Sequence, residues 1–185
     1  MRLHGFILLA LTTLLCTGVR AQKMQSLDSD HWSALAPRSL GPAGMSGRVT
    51  AIDVHPLDRD VFYVGTASGG LWTSRNGGIS FEPIFDDQKY LGIGSVAVSD
   101  ANPNIIWAGT GEGNPRNSAN YGGGIYKSLD GGKTWQFKGL ENTRHIHRVI
   151  PHPTDPDIAY AGALGSMWAP NEERGVYRTD DGGDN

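Results

Sequence analysis

Gly124-Ile125-Tyr126-Lys127-Ser128-Leu129-Asp130-Gly131-Gly132-Lys133-Thr134-Trp135 is the fullest of three copies of one phrase. An earlier copy runs Gly70-Leu71-Trp72-Thr73-Ser74-Arg75-Asn76-Gly77-Gly78-Ile79-Ser80-Phe81. A later one runs Gly175-Val176-Tyr177-Arg178-Thr179-Asp180-Asp181-Gly182-Gly183-Asp184-Asn185 and stops before its Thr-Trp. Repetition at a fixed period marks solenoids, propellers and arrays. Asn76, Asp130 and Asp181 hold the same place in the phrase and lie 54 and 51 residues apart.

The intervals are filled by short apolar runs. Val49 to Val54 alternates like a half-buried strand, and the turn His55 to Asp60 leads into Val61 to Gly65. Gly70 to Ser74 and Ser80 to Ile84 complete a set of four. The cycle restarts at Ile93 to Val98 with Ile105 to Gly109, and again at Ile146 to Ile150 with Ile158 to Gly162. Four short strands per unit of about 50 residues is the arithmetic of a propeller blade. The fold class read from this pattern is all-β, a β-propeller of four-stranded antiparallel blades. Blade 1 spans about 48–88, blade 2 about 91–140 and blade 3 about 144–185, so the partial propeller occupies 47–185. Three blades do not close a ring that typically takes 4–8. The chain is therefore expected to be the N-terminal piece of a longer propeller, with the remaining blades as its partners.

Ahead of the repeats, the apolar run Phe6 to Cys16 is too short for a mature membrane span and is followed by Val19-Arg20-Ala21. Residues 1–21 read as a secretory signal peptide cleaved after Ala21, which places the protein outside the cytoplasm: secreted, periplasmic or on the cell surface. Residues 22–46 form a Pro/Gly-punctuated lead-in. Cys16 is the only cysteine, so the mature chain carries neither a disulfide framework nor a thiol nucleophile. The 26 glycines in 185 residues are about twice the usual share of roughly 7%, and they sit at repeating turn positions. A formal net charge of -3 gives no electrostatic footprint for nucleic acid.

The box has its own chemistry. An Asp side chain accepts hydrogen bonds from backbone N–H groups two or three residues on, and Gly-Gly supplies the positive φ of a tight hairpin. Ser128 adds a further side-chain bond to the backbone, and Trp135 is free to start the next strand and pack between blades. Ser74, Asn76, Gly77 and Phe81 in the first copy, Ser128, Asp130, Gly131 and Trp135 in the second, and Thr179, Asp181 and Gly182 in the third are read as structural. This box resembles an Asp-box, or BNR repeat, found in sialidases, sortilin-type receptors, a photosystem II assembly factor and xyloglucan-cleaving propeller glycosidases. The His-Pro turns at His55 to Tyr63 and His152 to Tyr160 make the blade most similar to the sortilin-like group and to large secreted bacterial propellers labelled glycosyl hydrolase. In those families the box carboxylates are structural.

Successive turns of an up-and-down blade alternate between faces. The His-Pro turns and the boxes share one face; the loops between strands two and three share the other with the blade-to-blade crossings. The length variation sits on that second face. Blade 1 has only Thr66 to Gly69 there. Blade 2 has Thr110 to Gly123, with Glu112, Asn114, Arg116, Asn117, Asn120 and Tyr121, and blade 3 has Ala163 to Arg174, with Trp168, Asn171, Glu172 and Glu173. The crossings add Asp86, Asp87, Lys89, Tyr90, Glu141, Arg144 and His145, and Arg48 stands at the mouth. Binding residues concentrate on loops over a rigid scaffold. The candidates for ligand contact are Arg48, Glu112, Asn114, Arg116, Asn117, Arg144, His145 and Trp168. Glu112 and Arg116 suit a polar clamp on a ligand, or a pair that holds their own loop together. His145-x-His147 puts two imidazoles on one face of a strand, but no carboxylate or thiol joins them at a metal-binding spacing, so no metal or cofactor is expected. Trp72, Trp107, Trp135 and Tyr126 fall at repeat positions and read as inter-blade core.

Two acids flank the bond in a glycosidase. The xyloglucan-cleaving propellers carry one within Thr-Asp-x-Gly-Gly in blade 1, where this chain has Thr66-Ala67-Ser68-Gly69-Gly70. Sialidases carry Arg-Ile-Pro ahead of their first box; nothing similar precedes Asn76. The preferred reading is a secreted, non-catalytic propeller that binds a peptide, protein or glycan at its loop-rich face. A glycoside hydrolase with Glu112 as its local acid, and a purely structural scaffold, are the alternatives.

Overall fold

The computed structural model describes residues 47–185, and among them the regular structure is eleven β-strands and one 3-10 turn. The expected signal peptide (1–21), the lead-in (22–46) and Cys16 lie outside the described residues. The first sheet is a meander of β1 (Val49–Val54), β2 (Phe62–Thr66), β3 (Leu71–Ser74) and β4 (Glu82–Pro83). The second repeats it with β5 (Ile93–Val98), β6 (Ile106–Thr110), β7 (Ile125–Ser128) and β8 (Gln136–Phe137). The third holds β9 (Ile146–Pro151), β10 (Ala159–Ala163) and β11 (Gly175–Thr179). All pairings are antiparallel.

The fourth strands are shorter than the run Ser80 to Ile84 suggests. β4 and β8 hold two ladder residues each, because the residues before them belong to the box hairpin. Ser80 N–H is bonded to Asn76 Oδ1 and Thr134 N–H to Asp130 Oδ1, so neither reaches the ladder. Trp135 likewise precedes β8 instead of opening it.

The three boxes share one hydrogen-bond plan. In the second, the Ser128 hydroxyl donates to Asp130 Oδ1 (2.8 Å) and accepts from Gly132 N–H (2.9 Å), four residues ahead. Asp130 accepts from the Thr134 backbone and hydroxyl at 2.8 and 2.6 Å, also four residues on. The third copy does the same with Thr179, Gly183 and Asp181. In the first copy the amide oxygen of Asn76 replaces the carboxylate as acceptor. Gly131 and Gly132 have φ of 72° and 88°, a backbone that a Cβ makes costly. Each box is tied to the first turn of its own sheet, Gly77 N–H to Asp60 O, Gly131 N–H to Asn104 O and Gly182 N–H to Asp157 O. The boxes and first turns therefore share one face.

Two apolar layers hold the sheets together. Tyr63, Leu71 and Phe85 of the first sheet pack on Ile93, Val96, Val98, Ile106, Ala108 and Tyr126 of the second. The opposite side of the second sheet, with Ala97, Trp107 and Ile125, packs on Ile146, Val149, Ala159 and Ala161 of the third. All residues of β5, β6 and β7 are consequently buried, whereas β1 exposes Val49, Ile52 and Val54 and the third sheet exposes Ile150, Tyr160 and Val176. Trp135 meets Phe85 edge to face at 5.0 Å and donates its indole N–H to Ile84 O at 2.6 Å. Trp107 is buried against the Lys127 ammonium, 4.8 Å from the ring. Trp72 is only half-buried and bonds Gly69 O in its own loop, so it lies outside the inter-sheet core that its repeat position suggests.

The first strand of each sheet carries a β-bulge one residue in, at Thr50, Gly94 and His147. The residue preceding each of these strands accepts a bond from the residue just past the second strand: Ala67 N–H to Arg48 O, Gly111 N–H to Gly92 O and Leu164 N–H to His145 O. Arg48, Gly92 and His145 are thus equivalent positions on the face opposite the boxes.

The Thr134 and Ser128 hydrogen bonds hold the Asp130 carboxyl down to about 2. A depressed carboxyl contributes stability that is present above its ordinary value near 4 and disappears as pH falls toward the folded value. Asp130→Asn keeps an acceptor, as Asn76 does. Its stability measured by denaturant titration is expected to fall below the parent near neutrality, where the carboxylate's contribution is lost, and to approach the parent between about pH 4 and pH 2.

Candidate functional site

The strand-two to strand-three loops and the sheet crossings meet on the face away from the boxes. Thr66 starts the shortest loop and closes it by bonding Gly70 O and Gly69 N–H; Thr110 does the same for the long second loop through Gly124 O and Gly123 N–H. The third sheet has Ala163 at this place. Its loop is braced instead by Arg174, which donates to Leu164 O and Ser166 O, and by Asn171, which donates to Ser166 O and Ala169 O.

Glu112 is fully buried, and its partner is Arg48 of the first sheet, not Arg116. Arg48 Nε donates to Glu112 Oε1 at 2.7 Å and Nη2 to Oε2, a fork-to-fork pair that ties the second loop to the strand entrance of the first sheet. The pair pushes the Glu112 carboxyl below its ordinary value and the Arg48 guanidinium above its own. Arg116 is exposed at the loop tip with Asn114 and Asn117, and it acts on Glu112 only through its charge. Nearby, Asn120 donates to Ala67 O and accepts from Glu112 N–H through its backbone. Ala67, where the xyloglucan-cleaving pattern has its acid, is buried.

His145 and His147 do not share a face. His145 precedes β9 and is completely buried, while His147 is the exposed bulge residue. Neither ring nitrogen of His145 finds a hydrogen-bond partner among the described residues. Burial, the leading cause, pushes its pKa down; Arg144 adds to this, and the backbone and charge of Glu112 oppose it. The His145 ring packs on Tyr121 with centroids 5.3 Å apart. Among the described residues, no three His, Cys, Asp or Glu side chains are grouped as a metal site.

Tyr121 opens onto a cleft of about 600 Å³. Its walls come from four segments: Tyr90 of the first crossing, Tyr121 and Gly122, Glu141, Asn142 and Arg144 of the second crossing, and Ser166, Ala169, Pro170, Asn171 and Glu173 of the third sheet's loop. Arg144 sits at φ 55°, rare for a residue with a side chain. Its carbonyl turns inward to accept Gly122 N–H at 2.7 Å, a turn possible only because Gly111 has no Cβ to meet that oxygen. The side chain is thrown outward over the Tyr121 ring, 5.4 Å from its centroid. Of the sequence candidates, Arg144 alone lines the cleft. His145 supports Tyr121 at its wall, and Trp168 is exposed beside it without lining it. Tyr90, Tyr121, Glu141, Asn171 and Glu173 also line the cleft; their place on the long loops and blade crossings was the signal in the sequence.

No protein-family model matches the chain, and no curated protein does. Solved structures do. An ancestral GH74 enzyme is 26% identical with a TM-score of 0.56, over 74% of this chain and 18% of that one. The GH74 xyloglucanase from Xanthomonas campestris is 23% identical with a TM-score of 0.54, over 75% and 20%. YCF48 from Cyanidioschyzon merolae is 21% identical with a TM-score of 0.52, over 78% and 37%. The fold is that of a β-propeller. The chain spans about a fifth of the length of the GH74 structures it matches. The sheets are its blades, and the cleft lies on the face of the propeller that carries the blade crossings.

Removing either partner of the Arg48–Glu112 pair has unequal consequences. Arg48→Met strands a fully buried carboxylate, while Glu112→Gln leaves a half-exposed guanidinium that water reaches. Near pH 7 Arg48→Met is expected to be the less stable variant by denaturant titration. Burial without the guanidinium raises the Glu112 carboxyl, so this variant should regain ground relative to the parent as pH falls below about 5.

Proposed function

We propose that this chain is a secreted, non-catalytic β-propeller module that binds a peptide, protein or glycan at its loop-rich face. The signal-like segment ending at Ala21 supports export. The observation that carries the binding assignment is the cleft of about 600 Å³, walled by four loop and crossing segments and overlooked by a pre-positioned Arg144. Concave sites with a few convergent polar groups are the ordinary form of ligand pockets. One propeller of the same fold, YCF48, has been solved bound to D1 peptide; at 17% identity it lends the fold alone.

The second reading is glycoside hydrolysis, favoured by the likeness to an ancestral GH74 enzyme. A general acid must hold a proton at working pH. Glu112 is poorly suited to that role, since Arg48 keeps its carboxyl ionised and occupies both oxygens. The intact protein can be applied to peptide and glycan arrays and separately incubated with xyloglucan while reducing ends are counted. Retention of a ligand without new reducing ends is expected. Steady release of reducing ends, lost in Glu112→Gln, would establish the hydrolase instead.

A further inference from the structure

We infer that the cleft selects a peptide segment carrying charges of both signs, an acidic group for Arg144 and a basic group for Glu141 and Glu173. The inference rests on the binding-module reading and narrows its ligand. Three charged side chains line the cleft, and none of them makes an ion pair within 4 Å among the described residues. Their side chains also find no hydrogen-bond partner there, whereas Arg48 and Glu112 on the same face are closely paired. Unpaired charges of opposite sign in one hollow are complementary to a ligand that brings both.

The positions are braced for the purpose. The backbone of Arg144 is fixed by Gly122 and Gly111, and its guanidinium lies over Tyr121, which rests on the buried His145. A stacked guanidinium keeps its N–H edge free for a carboxylate. Glu141 stands in the 3-10 turn Glu141–Thr143, whose end is tied by Thr143 to Leu140 O. Glu173 is held through its carbonyl by the Tyr177 hydroxyl at 2.9 Å. Such prior ordering lowers the entropic cost of binding. A neutral sugar chain fits less well: Tyr121 holds Arg144 against its ring and Tyr90 holds Lys89, 5.1 Å from its centroid.

The test uses the intact protein on immobilised short peptides in four sets, uncharged, acidic, basic, and mixed acidic–basic, with neutral xyloglucan oligosaccharides alongside. The mixed set is expected to be retained best, and less so at high salt. Arg144→Gln should weaken it about tenfold or more, the effect of one lost charge-assisted pair, and Arg144→Lys by less. The Glu141→Gln/Glu173→Gln double variant should weaken the mixed and basic sets while sparing the acidic one, which separates selectivity from misfolding. Retention of uncharged peptides or neutral glycans as strong as the mixed set, or indifference to Arg144→Gln, overturns the inference and leaves the binding module standing. Retention of nothing overturns both.

Discussion

A sheet of four short strands has two broad faces, and neither can be left to water if both are apolar. That constraint governs this chain. The second blade is buried on both sides because a neighbour stands against each, and its strands read as continuous apolar runs in place of alternating ones. The outer faces of the first and third blades keep Ile52, Val54, Ile150 and Val176 exposed for the same geometric reason. Stacking of blade on blade supplies the main apolar burial, and everything on the two rims is positioned by it.

The rims divide the labour. On one, the boxes use up their own carboxylates and hydroxyls in closing hairpins, which leaves Asp130 and Asp181 with hydrogen-bond partners and low proton affinity. On the other, the chain spends its length. The loops there are held at the base by short local bonds from Thr66, Thr110 and Arg174, and at one point by the Arg48–Glu112 pair across two blades. A rigid base with variable tips is the arrangement in which side chains such as Arg144 can be aimed without packing constraints on their outer ends.

The sequence made the boxes and the blade order legible because Asp-Gly-Gly fixes a turn within a few residues. Strand ends were less legible: Ser80 and Thr134 look like strand residues but are taken by the box. The loop-rich face followed from chain length alone. The identity of its contacts did not. Arg48 and Glu112 are 64 residues apart and meet only once two blades stack, so the nearer Arg116 was the natural but mistaken partner. The His145 and His147 pair failed for a local reason. His147 is itself the bulge residue, which breaks the alternation that would have put both rings on one side.

Arg75 of the first blade donates to the box carbonyl of Gly131 in the second, and Lys127 of the second donates to Gly182 in the third. Each blade thus reaches forward to fasten the hairpin of the next. The order of each of these hairpins is borrowed in part from the blade before it, so loosening one blade is felt in the turn of its successor.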